Sequence, residues 1–508
     1  MALVVRLRET LEQVARLIKA YLVHALTSSE LISRVRAIAD LAGLSSKHIV
    51  FYHCMSDPHS FIALQALGLM VRKYDVKVLI IVVPEPADAG LPAYATSREQ
   101  QFAWRIRDAR VLFNVYEDLI TGVPSMESFP KPKTVHLAER WAAANLNNTF
   151  LDGGSATQNL LKRIVQVSSL LLANDASGLV DFCVNEGPGT LADENMTDAL
   201  LKRNATRLRR AGHYLSGTAF YGFEWFWGID RLHYLESILL SQERLRVPRR
   251  VSRRSSLSRR RDVSPSVYAD LRISSSATLF SRTCNLLFRD KMRQAASFKA
   301  TPDERRELPY IDFYYSFRSP YSQIALRPLL DMADFYGVQV RFRPVLPMLM
   351  SGLPVGLAKS FYIARDARRE AERLEWTAYG FFNDPIGEPI HHAFALFMEA
   401  RAQGKERDFL LAWSKHVWTR ALDPHTHAGL RTICRTTGIR WDPSLLHTDT
   451  WKAFAAENRR DLHAHGLWGV PSFAFMDTAT WGQDRLFLVE ERIIRAVRDI
   501  RAASDTLN

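Results

Sequence analysis

Cysteine is scarce in this 508-residue chain: Cys54, Cys183, Cys284 and Cys434 stand far apart, with no C-x-x-C pair. That spacing excludes a disulfide framework, a thiolate zinc site and a dithiol redox centre. It suits a reducing compartment, so a cytoplasmic location is expected. Long apolar runs are missing as well. The longest clean one, near Val76–Val83, is strand-sized and far below the ~20 residues of a membrane helix, so no transmembrane segment is expected. Glycine (24) and proline (22) are near average usage, which rules out collagen-like and low-complexity architectures. No G-x-S-x-G, P-loop or G-x-G-x-x-G pattern occurs in a strand–turn–helix setting. The histidine pairs His425/His427, His463/His465 and His391/His392 lack supporting cysteine or carboxylate spacing, and no metal is expected. What remains is a packed chain, 47% hydrophobic and 24% charged, long enough for two or three domains.

The formal net charge is +13, and much of it is local. Nine arginines and no acid lie between Arg244 and Arg261, leaving +4 for all other residues. Serines interleave the run, and Pro248 and Pro265 flank it. With like charges repelling and no apolar periodicity, residues 244–307 read as an Arg/Ser-rich linker. Such a run also suits an anionic partner, or phosphorylation at Arg-Arg-Val-Ser and Arg-Arg-Ser-Ser. It lacks aromatics for stacking, and no specific nucleic-acid partner is expected.

Residues 1–47 open with Leu3, Leu7, Leu11, Val14, Ile18 and Leu22 at helical spacing. Glu9 and Glu12 argue against a targeting peptide. The segment reads as an amphipathic helical leader packed on the first domain, with a membrane-surface helix as the alternative.

Four ordered blocks then repeat. His48–Ser60 matches Tyr310–Ser322, with Pro58 and Pro320 standing 262 residues apart. Gln101–Ala109 matches Lys359–Ala367, placing Asp108 and Asp366 258 residues apart. Trp227–Leu232 matches Trp481–Leu486, with Asp230 and Asp484 254 apart, and a second strand follows the first helix in each copy. The nearly constant offset implies a duplicated domain. Each copy runs β-α-β, a long helical stretch, then β-β-α, which predicts an α/β fold of two tandem thioredoxin-like (βαβ–ββα) domains, each with a helical insertion. The expected boundaries are 48–243 and 308–508.

The second copy carries Ser319-Pro320-Tyr321-Ser322, Lys359-x-x-Tyr362-x-x-x-Asp366, Gly469-Val470-Pro471-Ser472 and Gly482-Gln483-Asp484-Arg485. In that order these motifs resemble the DsbA-like branch of the thioredoxin superfamily, close to the 2-hydroxychromene-2-carboxylate isomerases and kappa-class glutathione transferases. The resemblance covers most of 308–500 and, in decayed form, 48–245. It implies glutathione as co-substrate, Ser319 as the catalytic serine and a cis-proline loop at Val470–Pro471. It further implies an isomerase or transferase acting on a small electrophile, aromatic or unsaturated-carbonyl in character.

The residue chemistry is compatible with that. A hydroxyl at a helix start faces unpaired N–H groups and the positive end of the dipole, a place that stabilises an anion such as a thiolate. Ser319 would then activate the thiol, or would serve only as an N-cap. Pro471 would present the Val470 backbone to an extended peptide, or would stiffen a turn. Asp484 would accept from the γ-glutamyl ammonium while Gln483 holds its carboxylate, or would cap the last helix or form a surface ion pair. Lys359 would pair a substrate carboxylate or remain solvated, and Tyr321 and Tyr362 would line the substrate site or pack. In the first copy Asp57-Pro58-His59 replaces Ser-Pro-Tyr, Gln101 replaces the lysine, and Gly212-His213-Tyr214 stands where the proline loop is sought. A carboxylate there would repel a thiolate, so this copy reads as a degenerate domain packed against the other. The competing reading of the whole chain is a non-catalytic tandem scaffold whose basic linker binds an anionic partner.

Overall fold

The structure is a computed structural model describing residues 2–43, 48–85, 98–120, 130–184, 191–242, 299–347, 350, 357–376 and 379–507. Most of the expected Arg/Ser-rich linker, and Cys284 with it, lies outside the described residues. Residues 299–307 of that stretch are ordered, contrary to the linker reading. Thr301 forms a capping box with Glu304 at the start of a short helix, Pro302–Glu307, and Arg501 of the last helix bonds Glu304 at 2.7 Å.

Two separate sheets form where β-branched and aromatic residues cluster. In the first, β1 (His48–His53) pairs in parallel with β2 (Lys77–Val82), and antiparallel with β4 (Thr218–Tyr221), which turns back into β5 (Glu224–Trp227). The segments HIVFYH and KVLIIV suit the pleated, buried centre of a sheet covered on both faces. In the second sheet, β6 (Ile311–Tyr315) pairs in parallel with β7 (Val340–Pro344) and antiparallel with β8 (Ser472–Phe475), which turns into β9 (Thr478–Trp481). The first sheet differs by a fifth strand that no period-2 signal foretold: β3 (Thr149–Leu151), only three residues long, pairs with β2.

Each sheet has its own apolar core. One runs from Ile49 to Leu239 and the other from Ala300 to Val497. The helices between β2 and β4, and between β7 and β8, supply much of both. In the second half they bring Phe394, Phe397, Trp413 and Trp418 around Phe317, whose carbonyl accepts from both indole N–H groups.

Across the boundary between the halves lies a reciprocal exchange of arginines. Arg231 of the first half bonds Asp366 at 2.9 Å and Asp484 at 3.2 Å in the second. Arg485 of the second half bonds Asp108 at 2.6 Å and reaches Asp230 at 2.9 Å in the first. Both arginines follow a glycine with positive φ, Gly228 (φ 67) and Gly482 (φ 102), a backbone that non-glycine residues adopt at a cost. Both are nearly fully buried, at 6% and 5% side-chain exposure. Bidentate guanidinium–carboxylate geometry is what makes so dry a charge cluster tolerable.

The leader is two helices, Ala2–Leu26 and Ser29–Leu41. It does not pack on the first half alone. Arg16 bonds Asp423, and Tyr21 lies 4.7 Å from the Phe381 ring, both in the second half. Arg36, on the second leader helix, bonds the Gly222 carbonyl and pairs with Glu224 in the first half. The leader therefore straddles the two halves, held by ion pairs that hydrophobic periodicity does not reveal. Leu11, Val14, Ile18 and Leu22 remain exposed. Among the described residues, no helix is long and apolar enough to cross a membrane.

Removing one member of a buried ion cluster leaves its partners unpaired. Arg231→Met is expected to lower stability by about 3–5 kcal/mol, read by chemical denaturation. Adding Asp366→Leu should recover part of that loss. A single-variant loss below about 1 kcal/mol would place the exchange among weak surface pairs.

Candidate active site

Ser319 is the N-cap of the helix Pro320–Tyr336, and its Oγ accepts from the Ser322 N–H at 3.2 Å. The same hydroxyl points at the Val470 carbonyl, 3.5 Å away, a long and weak contact. The Val470–Pro471 peptide bond is cis, and Pro471 is buried at the head of β8. Pro320 at the first helical position has no N–H to satisfy. Ser319 thus stands half-buried between a helix start and the proline loop, as cap and as an available donor together.

From this turn a chain of contacts leads into the boundary between the halves. The Tyr321 hydroxyl donates to Asp366 at 2.8 Å. Asp366 is also bonded by Arg231 and by Arg369, the latter at 2.7 Å. Burial pushes the Asp366 carboxyl up, but the two arginines outweigh it and hold it ionised below the usual range. Arg231 continues to Asp484, whose carboxylate also accepts from Gln483 Nε2 at 3.2 Å. Burial, followed by Glu370 and Asp230, raises the Asp484 carboxyl to about 7 against the pull of Arg231. Asp484 is therefore an arginine-held group at the edge of the site, in the short turn Gln483–Arg485, and neither a solvated ion pair nor a helix cap.

Lys359 and Tyr362 lie on the helix Leu357–Arg373 and face the first half. The Lys359 ammonium sits 5.2 Å from the Tyr214 ring centre, and burial lowers its pKa. The Tyr362 ring meets His213 edge-on at 4.5 Å. Its hydroxyl is buried with no hydrogen-bond partner among the described residues, as is His213 Nε2. The expected residues thus fall into two groups. Ser319, Val470 and Pro471 converge directly. Tyr321, Gln483 and Asp484 join through Asp366 and Arg231, while Lys359 and Tyr362 meet side chains of the other half. Sequence reasoning missed Arg231, His213 and Tyr214 as parts of this region. The one hint was that Trp227–Arg231 matches Trp481–Arg485 although the first half lacks the Ser-Pro-Tyr motif and the lysine.

The first half places different chemistry at the same turn. Asp57 caps the helix Pro58–Lys73, bonds the Ser216 hydroxyl at 2.9 Å and faces His59. Strand register corrects the expected match of the loop. Tyr52 opposes Thr218 as Tyr314 opposes Ser472, so Leu215-Ser216-Gly217, and not Gly212-His213-Tyr214, stands at the position of Gly469-Val470-Pro471. Burial raises the Asp57 carboxyl, but His59, Arg105 and Ser216 outweigh it and hold it at about 2. His59 is lowered by burial and raised further by Asp108, 2.9 Å away, and by Asp57, to about 9. Cys54, buried and beside Asp57, has its thiol pushed far up, so no reactive thiolate forms there.

Comparison with known proteins gives this arrangement its relatives. Residues 310–494 match the DSBA-like thioredoxin domain family, and this part of the chain is such a domain. The chain is 24% identical over 192 residues to a 2-hydroxychromene-2-carboxylate isomerase of Sphingobium xenophagum, covering 36% of this chain and 97% of that protein. A protein of the same name from Pseudomonas putida is 24% identical over 203 residues, covering 37% and 96% respectively. Among solved structures, a 2-hydroxychromene-2-carboxylate isomerase is 22% identical and covers 38% of this chain and 99% of its own, with a TM-score of 0.33.

The His59 cluster sets a pH dependence. Its folded pKa of about 9 exceeds the ordinary 6.5, so its stabilisation is complete below pH 6.5 and is lost as pH rises through about 9. Folding free energy measured by denaturant titration should fall across that window, and His59→Gln should flatten the fall. An unchanged slope in the variant would contradict the assignment.

Proposed function

We propose that the second half is a glutathione-dependent isomerase or transferase acting on a small electrophile, aromatic or unsaturated-carbonyl in character. The first half is then a degenerate copy from a tandem duplication, acting as a built-in partner. The observation that carries this reading is the placement of the Ser319 hydroxyl, at the first turn of a helix, 3.5 Å from the cis-proline loop. A thiol lying against this helix start, beside the proline loop, would meet a hydroxyl donor and a helix dipole, both of which favour the thiolate over a free thiol of pKa ~8.5.

Other features fit an extended, anionic tripeptide. The Val470 N–H has no acceptor among the described residues, which suits strand-like pairing with a peptide. The Lys359 ammonium has no carboxylate partner among them, and the Tyr362 hydroxyl is buried without one. In the isomerase version the thiolate adds to the unsaturated carbon, and the displaced electron pair moves onto the carbonyl oxygen. The former double bond rotates, and elimination breaks the C–S bond and returns the thiolate. The Ser319 hydroxyl donates to the sulfur whenever it is anionic. The names of the relatives favour isomerisation over conjugation.

Calorimetric titration with glutathione tests the reading. The parent chain should bind saturably, and Ser319→Ala should weaken binding at neutral pH about tenfold, near 1.4 kcal/mol. Asp57→Ala in the other half should leave the affinity unchanged. Absence of binding by the parent would overturn the enzymatic reading and leave a two-sheet scaffold.

A further inference from the structure

The two halves present equivalent clefts to each other, and the chain itself fills one of them. In the filled cleft, Glu224 at the start of β5 receives Arg365 at 3.0 Å and Arg369 at 3.6 Å, and pairs with Arg36 of the leader. Arg365 also bonds the Thr27 carbonyl at 3.0 Å and the Ser29 hydroxyl at 2.9 Å. Burial raises the Glu224 carboxyl, yet Arg365, Arg369 and Arg36 outweigh it and hold it at about 2. A carboxylate with arginines on several sides is the centre of that cleft.

The equivalent cleft on the other side is open. It has a volume of about 260 Å³ and lies between the helix Arg98–Val115 of the first half and the β8–β9 hairpin and last helix of the second. Arg107 stands where Arg365 stands in the filled cleft, 258 residues earlier, but the position of Glu224 is taken by Thr478, 254 residues later. The hairpins agree in register, since Thr218 opposes Trp227 as Ser472 opposes Trp481. Arg107 forms no ion pair with a carboxylate among the described residues, and the charge that acts on it is that of the adjacent Asp108. Arg492 and Arg495, from the last helix, line the same cleft. Arg492 bonds Asp477 through Nε, and its Nη1 is buried with no partner among the described residues. Of the acids lining the cleft, Asp108 is bonded by Arg485 and His59 and Asp477 by Arg492, and Glu491 is the third.

We propose that this open cleft is a binding site for a small organic carboxylate, which supplies from solution the group that Glu224 supplies internally on the other side. The ligand's carboxylate lies between Arg107, Arg495 and the free Nη1 of Arg492, with the Thr478 hydroxyl as a further donor. The cleft is smaller than a typical drug-sized pocket, which limits the occupant to a small molecule. The proposal rests on the positional match of the hairpins and is independent of glutathione chemistry at Ser319.

The test is calorimetric titration of the full chain with benzoate, succinate and, as an inorganic control, phosphate. Saturable binding of a carboxylate by the parent is expected, with at least tenfold weaker binding by Arg107→Gln. Thr478→Glu installs the missing internal carboxylate and should abolish binding while maintaining or raising the melting temperature. Ser319→Ala should leave carboxylate binding unchanged, which separates this proposal from the glutathione reading. No saturable carboxylate binding by the parent, equal binding by Thr478→Glu or Arg107→Gln, or phosphate bound in preference to both carboxylates would each overturn it.

Discussion

The crossed arginines are the constraint on which the rest of the molecule depends. Arg231 and Arg485 each leave their own half to meet carboxylates of the other, and each is almost wholly buried. Such a cluster adds little net stability over a well-packed apolar equivalent, because desolvation offsets most of the Coulombic gain. What it confers is register. A guanidinium fork accepts few orientations of its carboxylates, so two sheets with separate cores are docked at one angle. The same carboxylates, Asp366 and Asp484, lie at the edge of the Ser319 site. The site is accordingly completed by the half that does not contain its serine.

Matched geometry with mismatched chemistry separates the halves. The Ser319 turn and the Asp57 turn both cap a helix that begins with proline, and both face the loop before a β-hairpin. One places a neutral hydroxyl there and the other an ionised carboxylate held by histidine. Under the proposed function an anionic sulfur is stabilised by the first and repelled by the second. The residue at the N-cap thereby sets the two turns apart, a hydroxyl in one and a carboxylate within an ion cluster in the other. The two clefts diverge in the same way: Glu224 is internal in one, and Thr478 replaces it in the other.

Much of this was legible in the residues. Repeated blocks at offsets near 260 anticipated two sheets, because each block carries a strand-turn-helix pattern. Ser319, Val470 and Pro471 were legible because short backbone motifs carry them. The arginine exchange was not, since partners more than 130 residues apart in sequence come together only through docking. The loop match in the first half slipped because Gly212 imitated a glycine that strand pairing places elsewhere. The three residues of β3 were too few for any periodicity. The leader's bridging role rests on Arg16 and Arg36, which read in sequence as the solvated face of an amphipathic helix.

Under the proposed function, a sulfur lying against the Ser319 turn beside the Val470–Pro471 loop is held ionised. The most direct measurement is a pH titration of bound glutathione, followed by the ultraviolet absorbance of its thiolate in the full chain. The expected result is an apparent thiol pKa below the free value of ~8.5, moved back toward that value when Ser319 is replaced by alanine. A bound thiol that titrates like free glutathione, with or without the Ser319 hydroxyl, would contradict it.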